Sequence, residues 1–442
     1  MQNPRFSAFK ALSKVENDGA YSNIILDSLL QNSELTPRDC AFVSSLFYGV
    51  LEKKLSLDYI ISKFSSIPLN KIETSTLIIL RIGVFQIVFM DKVPDSAAVN
   101  EAVKLCKKAK LFSSSGFVNG VLRSISRAEN KFPLPNKNNK IKYLSVKYSC
   151  PENIVELWIK DYTAECAEGI LKSLSGRPPM YARVNTLKTT REELIRLLSS
   201  EGVEARAVEC LEGAIELKHS GAVSALKSYI NGYFHIQDLS SQLCCEILSS
   251  GEGNTITDVC AAPGGKAFTT AEKINNIGKV CCCDIHNHKL KLIQDGAARL
   301  GVTSIIVRCR DALTNTPIEM SDRILCDVPC SGLGILRRKP EIRYKTDTGI
   351  ETLPQIQYDI LENSAQYVKP GGVLVYSTCT LHRAENGDIA DRFLAEHDDF
   401  VPLNITLPGG VKRTIDEPDN QLTLFPQTNN TDGFFISAFV KR

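Results

Sequence analysis

"DVCAAPGGK", residues 258–266, is the stretch of sequence that decides how this chain folds. It ends an apolar strand candidate, and its glycine pair lets the backbone approach a ligand closely and start a helix whose amide groups face that ligand. The stretch is not a phosphate-binding P-loop, because Cys260 occupies the position of that motif's first glycine and Ala267 replaces its Ser or Thr. It does not match the dinucleotide-binding fingerprint either. It therefore predicts a ligand-binding turn between a strand and a helix.

The region from about residue 250 onward alternates strands with helices. Helical stretches, including Lys289–Leu300 and Gln355–Val368, lie between the earlier strands, and this alternation predicts a mostly parallel, doubly wound α/β sheet. Ligands of such sheets bind beyond the carboxyl ends of the strands. The strand candidates are Thr255–Val259, Lys279–Asp284, Ser304–Arg308, Arg323–Val328, Gly372–Tyr376 and Phe434–Val440.

Acidic residues stand at the carboxyl ends of three of these strands. Asp284 lies about 20 residues beyond the glycine pair, where a carboxylate can accept hydrogen bonds from ribose hydroxyls. Asp311 follows the third strand candidate and Asp327 lies at the end of the fourth. Each aspartate alone is typical of a helix cap or a loop. Together with the glycine loop, the three indicate one nucleoside-like ligand.

Two cysteines lie at the same predicted edge. Cys330 belongs to the loop "DVPCSG", and Cys379 belongs to "YSTCT", which closes the strand candidate Gly372–Tyr376. A single cysteine is usually a small core residue. Two cysteines placed just after strands of one sheet instead favour nucleophilic chemistry, because a thiolate is a strong covalent catalyst.

The N-terminal segments differ in character from this region. Residues 1–130 carry apolar residues at helical spacing and predict an all-helical domain with a buried central helix over Ser75–Met90. The polar, proline-containing run 133–140 predicts a linker. Residues 141–240 mix helical stretches with short strand candidates and predict a small α+β segment, and residues 241–442 make up the third domain.

Composition and charge limit the class of protein and its partners. Of the 442 residues, 43% are hydrophobic and 23% charged, and no apolar run reaches the roughly 18 residues that span a bilayer. An odd number of cysteines, 15, and an N-terminus without an apolar signal segment predict reduced thiols in a cytoplasmic protein. Residues 1–150 hold 21 Lys and Arg against 12 Asp and Glu. That surplus indicates either a polyanionic partner or a solvated basic surface.

The motifs "DVCAAPGGK", "DVPCSGLG" and "YSTCT", in this order, resemble those of the S-adenosylmethionine-dependent RNA cytosine-5 methyltransferases. The segments "HIQDLSSQL" (His235–Leu243) and "DGFFISAFVK" (Asp432–Lys441) are similar to that family's flanking motifs. Residues 1–130 resemble the NusB-type RNA-binding helical domain through pieces such as "LTPRDCAFVSSLFYGVL". The combination implies a Rossmann-like methyltransferase domain, preceded by a NusB-like domain and the small α+β segment, that modifies 16S ribosomal RNA. Thr380 stands where serine is frequent in the family.

The resemblance implies a role for each residue at the strand ends. Cys379 is expected to add to carbon-6 of the cytosine, because carbon-5 alone is too weak a nucleophile to attack a methylsulfonium. Cys330 is expected to assist release of the product, and Asp327 to donate a proton near nitrogen-3. The expected residues that bind S-adenosyl-L-methionine are Cys260, Ala261, Ala262, Pro263, Gly264, Gly265, Lys266, Asp284, Asp311 and Asp327.

The substrate that the resemblance implies is an unstacked or looped cytosine of 16S ribosomal RNA, bound by a monomer. Three alternatives stay open. The two thiols could exchange roles, since a Pro-Cys pair supplies the nucleophile in DNA cytosine methyltransferases. The same chemistry could act on transfer RNA. The chain could also be an RNA-binding or antitermination factor with an inactive methyltransferase fold, although intact Cys379, Cys330 and cofactor loop argue against that.

Two further clusters invite a functional interpretation. The run Cys281–His288 crowds metal-ligand types, but adjacent cysteines of a strand point to alternate faces and Cys-x-x-Cys spacing is missing, so no metal is expected. The segment Arg337–Pro340, with Arg343 and Tyr344, suggests a surface that holds RNA phosphates and stacks on a base. An ordinary solvated loop is the alternative for this segment.

Overall fold

The computed structural model of this chain describes residues 3–18, 22–218, 220–314, 316–345 and 349–442. The chain divides into two compact units. The first comprises Met1–Gly176 together with Leu336–Thr346, and the second comprises Arg177–Ile335 together with Asp347–Arg442.

The first unit is helical, as the apolar spacing of its sequence predicts. Its central helix, α5, is apolar nearly all round, and most of its side chains are buried among the other helices. The sequence predicts this helix at 75–90, and the structure has it at Thr74–Phe89. The α-helices are α1 (Pro4–Asp18), α2 (Ser22–Gln31), α3 (Pro37–Glu52), α4 (Lys54–Phe64), α5 (Thr74–Phe89), α6 (Asp95–Lys108), α7 (Ser115–Arg127), α8 (Lys140–Tyr148), α9 (Glu152–Asp161) and α10 (Ala164–Ser173).

Two glycines allow the neighbouring helices to approach α5 closely. A Cβ atom at Gly49 in α3 would lie 2.0 Å from the ring of Phe85, and one at Gly83 in α5 would lie 2.6 Å from Leu122 of α7. A side chain at Gly49 would have to displace the Phe85 ring, and one at Gly83 would have to displace the Leu122 side chain. The helix spacing in this core therefore depends on residues that the apolar pattern alone does not single out.

The segment Leu336–Thr346 is built into the helical unit, although the chain on both sides of it belongs to the second unit. Arg343 is only 3% exposed. Its guanidinium donates hydrogen bonds of 3.2 to 3.4 Å to the carbonyl oxygens of Glu52, Ser149, Leu174 and Leu336. The Tyr344 hydroxyl donates to the Ser149 carbonyl at 3.2 Å. The interpretation of Arg343 and Tyr344 as an RNA-binding surface is therefore wrong, because both side chains hold this segment in the helical unit.

The second unit contains a small antiparallel sheet with the strand order β2-β3-β1-β4. The strand candidates at 181–185, 214–217 and 233–236 correspond to β1, β3 and β4, whereas β2 is mostly exposed and has no apolar alternation to predict it. The elements are β1 (Met180–Val184), α11 (Arg191–Ser200), β2 (Glu204–Ala207), β3 (Ala214–Lys218), α12 (Lys227–Ile230) and β4 (Phe234–Ile236).

The same unit contains a larger sheet with the order β10-β12-β9-β8-β5-β6-β7, and β11 pairs with β12. Strands β5 to β9 are parallel, and β12 runs antiparallel to β9. The elements are α13 (Leu239–Leu248), β5 (Thr255–Asp258), α14 (Gly265–Lys273), β6 (Lys279–Asp284), α15 (Asn287–Leu300), β7 (Ile305–Cys309), β8 (Ser321–Asp327), α16 (Leu353–Ala365), β9 (Val368–Thr378), α17 (Gly387–Glu396), β10 (Phe400–Pro402), β11 (Gln421–Leu424), α18 (Pro426–Asn429) and β12 (Phe434–Lys441).

The predicted mostly parallel α/β sheet is confirmed, and all six of its predicted strands are present. Lys279–Asp284 has the predicted bounds, and the other five are shifted at one or both ends. The domain boundaries predicted near 130, 140 and 240 stay predictions, and helices α8 to α10 lie within the first compact unit. Among the described helices, none combines the length and apolar character that a transmembrane span requires.

We predict that Arg343→Met destabilises the protein by about 2–4 kcal/mol, because several buried carbonyl oxygens lose their donor together. Thermal and urea unfolding of the full chain measure this. The matched control is Arg123→Met, which removes an exposed arginine of α7 and should change stability by less than about 0.5 kcal/mol. Equal effects of the two substitutions would contradict an anchoring role for Arg343.

Candidate active site

The loop between β5 and α14 is closed by backbone hydrogen bonds. The Ala261 amide donates to the Cys283 carbonyl at 2.7 Å, and the Gly264 amide donates to the Ala261 carbonyl at 2.7 Å. Gly264 has a φ of 110°, and a Cβ atom there would lie 2.5 Å from the ring of Phe268. This position therefore needs glycine for both its conformation and its space. The loop ends at the N-terminus of α14, whose first residue is Gly265 and which has no side-chain cap.

Parallel pairing places the ends of β6 and β7 at the same edge as this loop. Asp284 is 7% exposed, and its Oδ1 accepts a hydrogen bond from the His286 amide at 2.8 Å. Asp311 is half-buried, and its Oδ1 accepts from the Leu313 amide at 2.9 Å. Both carboxylates therefore shape a turn at the strand end, as a loop interpretation predicts, and they remain at the edge where a ligand would bind.

A lysine–aspartate pair joins the glycine loop to the end of β8. Lys266 Nζ donates to Asp327 Oδ2 at 2.7 Å, and the Ser377 hydroxyl donates to Asp327 Oδ1 at 2.9 Å. Burial acts to lower the pKa of Lys266, but the charge of Asp327, its hydrogen bond and the neighbouring Cys244 and Cys245 together outweigh burial and raise the pKa. The sequence predicts both residues at the site; it does not show that they form an ion pair.

A second carboxyl group, that of Asp258, interacts electrostatically with this pair. Asp258, at the end of β5, is 2% exposed. Burial, followed by the charge of Asp327, raises its pKa to about 7, and Lys266 only partly offsets this. Sequence reasoning did not single out Asp258 as a site residue, because its unusual pKa arises from neighbours that are distant in the chain.

The two thiols lie together, as their positions after neighbouring strands predict. The sulfur atoms of Cys330 and Cys379 are 3.2 Å apart, and both residues are half-buried. The hydrogen bond with Cys379, followed by burial and the negative charges of Cys379 and Glu385, raises the pKa of Cys330 well above the ordinary thiol value. Cys330 therefore stays protonated and can donate its proton towards Cys379.

Glu385 organises the loop that carries Cys330, and no sequence pattern indicates this role. Its side chain is fully buried. Its Oε2 accepts from the Ser331 amide and from Gln357 Nε2, each at 2.9 Å, while its Oε1 accepts from the Ser331 hydroxyl at 2.5 Å and contacts His382 Nδ1 at 3.1 Å. Burial acts to raise the pKa of Glu385, but the hydrogen bonds from His382, Ser331 and Gln357 outweigh it and lower the pKa.

The loops that carry the two thiols also share backbone hydrogen bonds. The Gly334 amide donates to the Cys379 carbonyl at 3.0 Å, and the Gly433 amide donates to the Gly334 carbonyl at 2.9 Å. A Cβ atom at Gly334 would lie 1.9 Å from the Gly433 carbonyl oxygen. The second glycine of "SGLG" is therefore required by the crossing of these loops.

The cysteine-rich strand β6 contributes packing. The Cys281 and Cys283 sulfur atoms lie 3.9 Å apart, whereas Cys282 is buried in the core that includes Ile256 and Phe268. This matches the alternate faces expected of a strand. Within the described residues, no group of three or more His, Cys, Asp or Glu side chains is arranged to hold a metal ion.

The site thus combines a glycine loop, a buried ion pair and a thiol pair at one edge of a parallel sheet. A thiol flanked by a second, protonated thiol can attack an electrophilic carbon and later be released. A lysine–aspartate pair can hold and move a proton at a polar heterocycle.

Three family descriptions match this chain over separate ranges. The description "16S rRNA methyltransferase RsmB/F" matches residues 245–440, the NusB family matches residues 2–127, and the ferredoxin-like domain of RsmF/B-like methyltransferases matches residues 150–224.

Relatives are similar to this chain over almost its whole length. Probable ribosomal RNA small subunit methyltransferase B from Bacillus subtilis is 38% identical over 98% of this chain and 98% of that protein. The protein of the same name from a Synechocystis species is 35% identical over 100% of each chain. A solved structure described as PH0851 has a TM-score of 0.84 at 24% identity and covers 100% of this chain and 99% of its own, which shows a shared fold.

We predict that Glu385→Gln destabilises the protein by about 2–4 kcal/mol at pH 7, because the amide has one acceptor oxygen where the carboxylate has two. The pKa of Glu385 is lowered on folding, so its contribution is present above the unfolded pKa of about 4.3 and is lost as the pH falls. The difference in unfolding free energy should therefore shrink below about pH 4.

Thermal unfolding at pH 7 and pH 3 measures this difference. Glu362→Gln, at an exposed glutamate of α16, is the matched control and should change stability by less than about 0.5 kcal/mol at either pH. A Glu385→Gln effect that is the same at both pH values would show that the carboxylate charge is not what holds the loop.

Proposed function

Because this chain belongs to the family of the ribosomal RNA small subunit methyltransferases B, we propose that it transfers a methyl group to carbon-5 of a cytosine in 16S ribosomal RNA. It is an S-adenosylmethionine-dependent ribosomal RNA methyltransferase. The proposal adds the position of methylation and a covalent route through a cysteine.

The observation that carries the proposal is the pair of thiols at the sheet edge. The distance of 3.2 Å between the Cys330 and Cys379 sulfur atoms allows one thiol to act on a base while the other remains beside the same reacting carbon. Methyl transfer to an oxygen or to an exocyclic nitrogen needs no thiol, because those atoms carry a lone pair. Carbon-5 of cytosine does need one, since the ring must first be made electron-rich.

We assign the attack to Cys379. Its sulfur, as a thiolate, bonds to carbon-6 of the cytosine, and the electron pair of the carbon-5–carbon-6 double bond moves to carbon-5. Carbon-5 would then take the methyl group that S-adenosylmethionine supplies, with S-adenosylhomocysteine as the leaving group. Loss of the carbon-5 proton to a base restores the double bond and expels the Cys379 sulfur. Cys330, held as a thiol by its neighbours, stands beside that sulfur and assists the final elimination.

Asp327 and Lys266 are assigned to nitrogen-3 of the cytosine. Addition at carbon-6 raises the electron density of the ring, and a proton at nitrogen-3 offsets it. Asp327 would have to be protonated to supply that proton, and its Oδ2 lies 2.7 Å from Lys266 Nζ. We therefore keep Asp327 as the residue that carries the proton to nitrogen-3, and Lys266 holds the Asp327 carboxyl group at that position.

The residues at the strand ends fit S-adenosylmethionine, which supplies an electrophilic methyl group when it is bound. The glycine backbone of the loop leaves room for a ligand, and the uncapped start of α14 offers amide groups to it. We assign the ribose to Asp284, the adenine side to Asp311, the methionine and ribose portions to residues 260–266, and a further cofactor contact to Asp327.

We further propose that the protein acts as a monomer in the cytoplasm and binds RNA through its basic N-terminal part. The domain boundaries remain 1–130, 141–240 and 241–442 in this proposal. A cytosine inside a helix could not reach thiols set among loops, so the target is expected to be unstacked. Transfer RNA as the substrate remains the alternative within the same chemistry. An inactive binding factor would show no rise in melting temperature with S-adenosylmethionine.

We predict that Cys330→Ala accumulates a covalent protein–RNA adduct, because Cys379 can still attack while the elimination stalls. Cys379→Ala should form no adduct and no methylated product, although it still binds the cofactor. The measurement incubates each variant with S-adenosylmethionine and RNA that carries the target cytosine, followed by denaturing gel electrophoresis.

Cys309→Ala, which removes an exposed thiol away from the pair, is the control and should behave like the unmodified protein. An adduct in Cys379→Ala but not in Cys330→Ala would reverse the assignment of the two thiols. Methylation by Cys379→Ala at the normal rate would exclude a covalent route through this residue.

We predict that Asp284→Ala weakens the binding of S-adenosylmethionine by about 1–3 kcal/mol, as expected for loss of a charge-assisted hydrogen bond to the ribose. RNA affinity should be unchanged. Calorimetric titration with S-adenosylmethionine and a filter-binding assay with RNA measure the two effects. Asp295→Ala, at an exposed carboxylate of α15 that pairs with Lys291, is the control. Equal loss of affinity for the cofactor and for RNA would contradict the assignment of Asp284 to the ribose.

A further inference from the structure

A buried amide group beside the glycine loop has a hydrogen-bond donor that the protein itself does not use. Gln237 lies between β4 and α13 within the motif "HIQDLSSQL" and is 6% exposed. Its Nε2 has no hydrogen-bond partner in the part of the chain that the structure describes. Buried amide donors are nearly always satisfied, so an unused one suggests a partner that binds.

The unused donor lies at the start of α14. A Cβ atom built on Gly265 would lie 3.7 Å from Gln237 Nε2. The Gly264 residue that caps this helix supplies no side-chain hydrogen bond to the first turn. The Gln237 amide and the N-terminus of α14 therefore present donors at one place, and a helix N-terminus favours a negatively charged partner.

The orientation of the Gln237 amide is fixed by residues of β4 and α14. The Thr269 hydroxyl donates to Gln237 Oε1 at 2.7 Å, and its contact with the Gly265 carbonyl is longer, at 3.2 Å. His235 Nε2 lies 3.3 Å from the same hydroxyl oxygen. Because the threonine has a single proton and gives it to Gln237, His235 is the donor in the contact between them. The amide oxygen thus stays on Thr269, and Nε2 faces the other way.

His235, which contacts the Thr269 hydroxyl, is held neutral. Burial, followed by the charges of Arg183 and Arg299, lowers the pKa of His235 to about 3. Its Nδ1 faces Glu272 Oε1 at 3.6 Å, and burial raises the pKa of Glu272 to about 8. At that distance the two groups are in contact without a hydrogen bond. The series of contacts that orients the amide therefore runs from His235 through the Thr269 hydroxyl to Gln237 Oε1.

We propose that Gln237 Nε2 donates a hydrogen bond to the carboxylate of the methionine portion of S-adenosylmethionine. The strand order sets which portion lies there: Asp311 and Asp284 stand at the ends of β7 and β6, and the glycine loop follows β5, the next strand along. A nucleoside laid across β7 and β6 brings its aminoacyl end to β5. At that end the carboxylate is the acceptor, since the amino group is a donor. Thr269 and His235 are positioning residues that act through Gln237.

The experiment compares two ligands that differ only in this group. S-adenosylmethionine and decarboxylated S-adenosylmethionine, which keeps the amino group, are titrated calorimetrically into the full-length protein and its variants. Gln237→Leu should raise the dissociation constant of S-adenosylmethionine by about tenfold to a hundredfold. It should change the dissociation constant of the decarboxylated compound by less than about twofold. Thr269→Val should shift the ratio of the two dissociation constants in the same direction by a smaller factor.

Thr257→Val is the matched control, since Thr257 is equally buried but bonds to Ser321 on a neighbouring strand, and it should leave the ratio unchanged. If Gln237→Leu lowers the melting temperature too far, Gln237→Glu decides: it keeps an acceptor for Thr269, replaces the donor by a carboxylate oxygen, and should weaken only S-adenosylmethionine. Equal weakening of both ligands, or no weakening of either, overturns the proposal. Neither result depends on which carbon of the RNA is methylated, since no RNA is present.

Discussion

The structure depends most on the parallel register between β8 and β9, in which Asp327 stands opposite Ser377. Parallel neighbours end at the same edge, so the residues that follow each strand leave the sheet side by side. Cys330 comes three residues after Asp327 and Cys379 two residues after Ser377, and this near-equal offset brings their sulfur atoms to 3.2 Å. A slip by one residue would turn alternate side chains to the other face and separate the thiols.

The parallel pairing of β5 with β8 creates an electrostatic problem that the site solves with an ion pair. Asp258 and Asp327 end adjacent strands, and two carboxylates this close cannot both be charged without a cation. Lys266, in the first turn of α14, supplies this cation, because the loop after β5 brings the start of α14 back over the edge of the sheet. The lysine that ends "APGGK" thus stabilises the folded site before any ligand binds. Removing a cation from such a buried group leaves uncompensated negative charge, which is far more costly than removing an exposed pair.

The sequence predicted those parts of the site that depend on local residue types. The glycine loop, the aspartates at strand ends and the two thiols each follow a strand whose apolar pattern is readable, so their shared edge could be inferred. Glu385 could not be inferred, because it lies on a short turn and gains its role only from Ser331 and Gln357, which are distant in the chain. The prediction that Arg343 lies on an RNA-binding surface was wrong for a related reason. A basic run in a sequence is typical of an exposed surface, and only the structure shows that Arg343 is buried. Long-range pairing of polar groups has no periodic signature in a sequence.

Arg343 belongs to the segment that follows the Cys330 loop in the chain. The chain leaves the second unit at Ile335, five residues after Cys330, and returns at Asp347. The intervening segment has its hydrogen-bond partners in the helical unit, where Glu341 accepts from the Ser22 hydroxyl at 2.8 Å and Arg343 donates to several carbonyls. One end of the Cys330 loop is thus fixed by Glu385 in the sheet unit, and the other continues into a segment that the helical unit folds. The residues on the two sides of Ile335 therefore have separate sets of hydrogen-bond partners, one set in each unit.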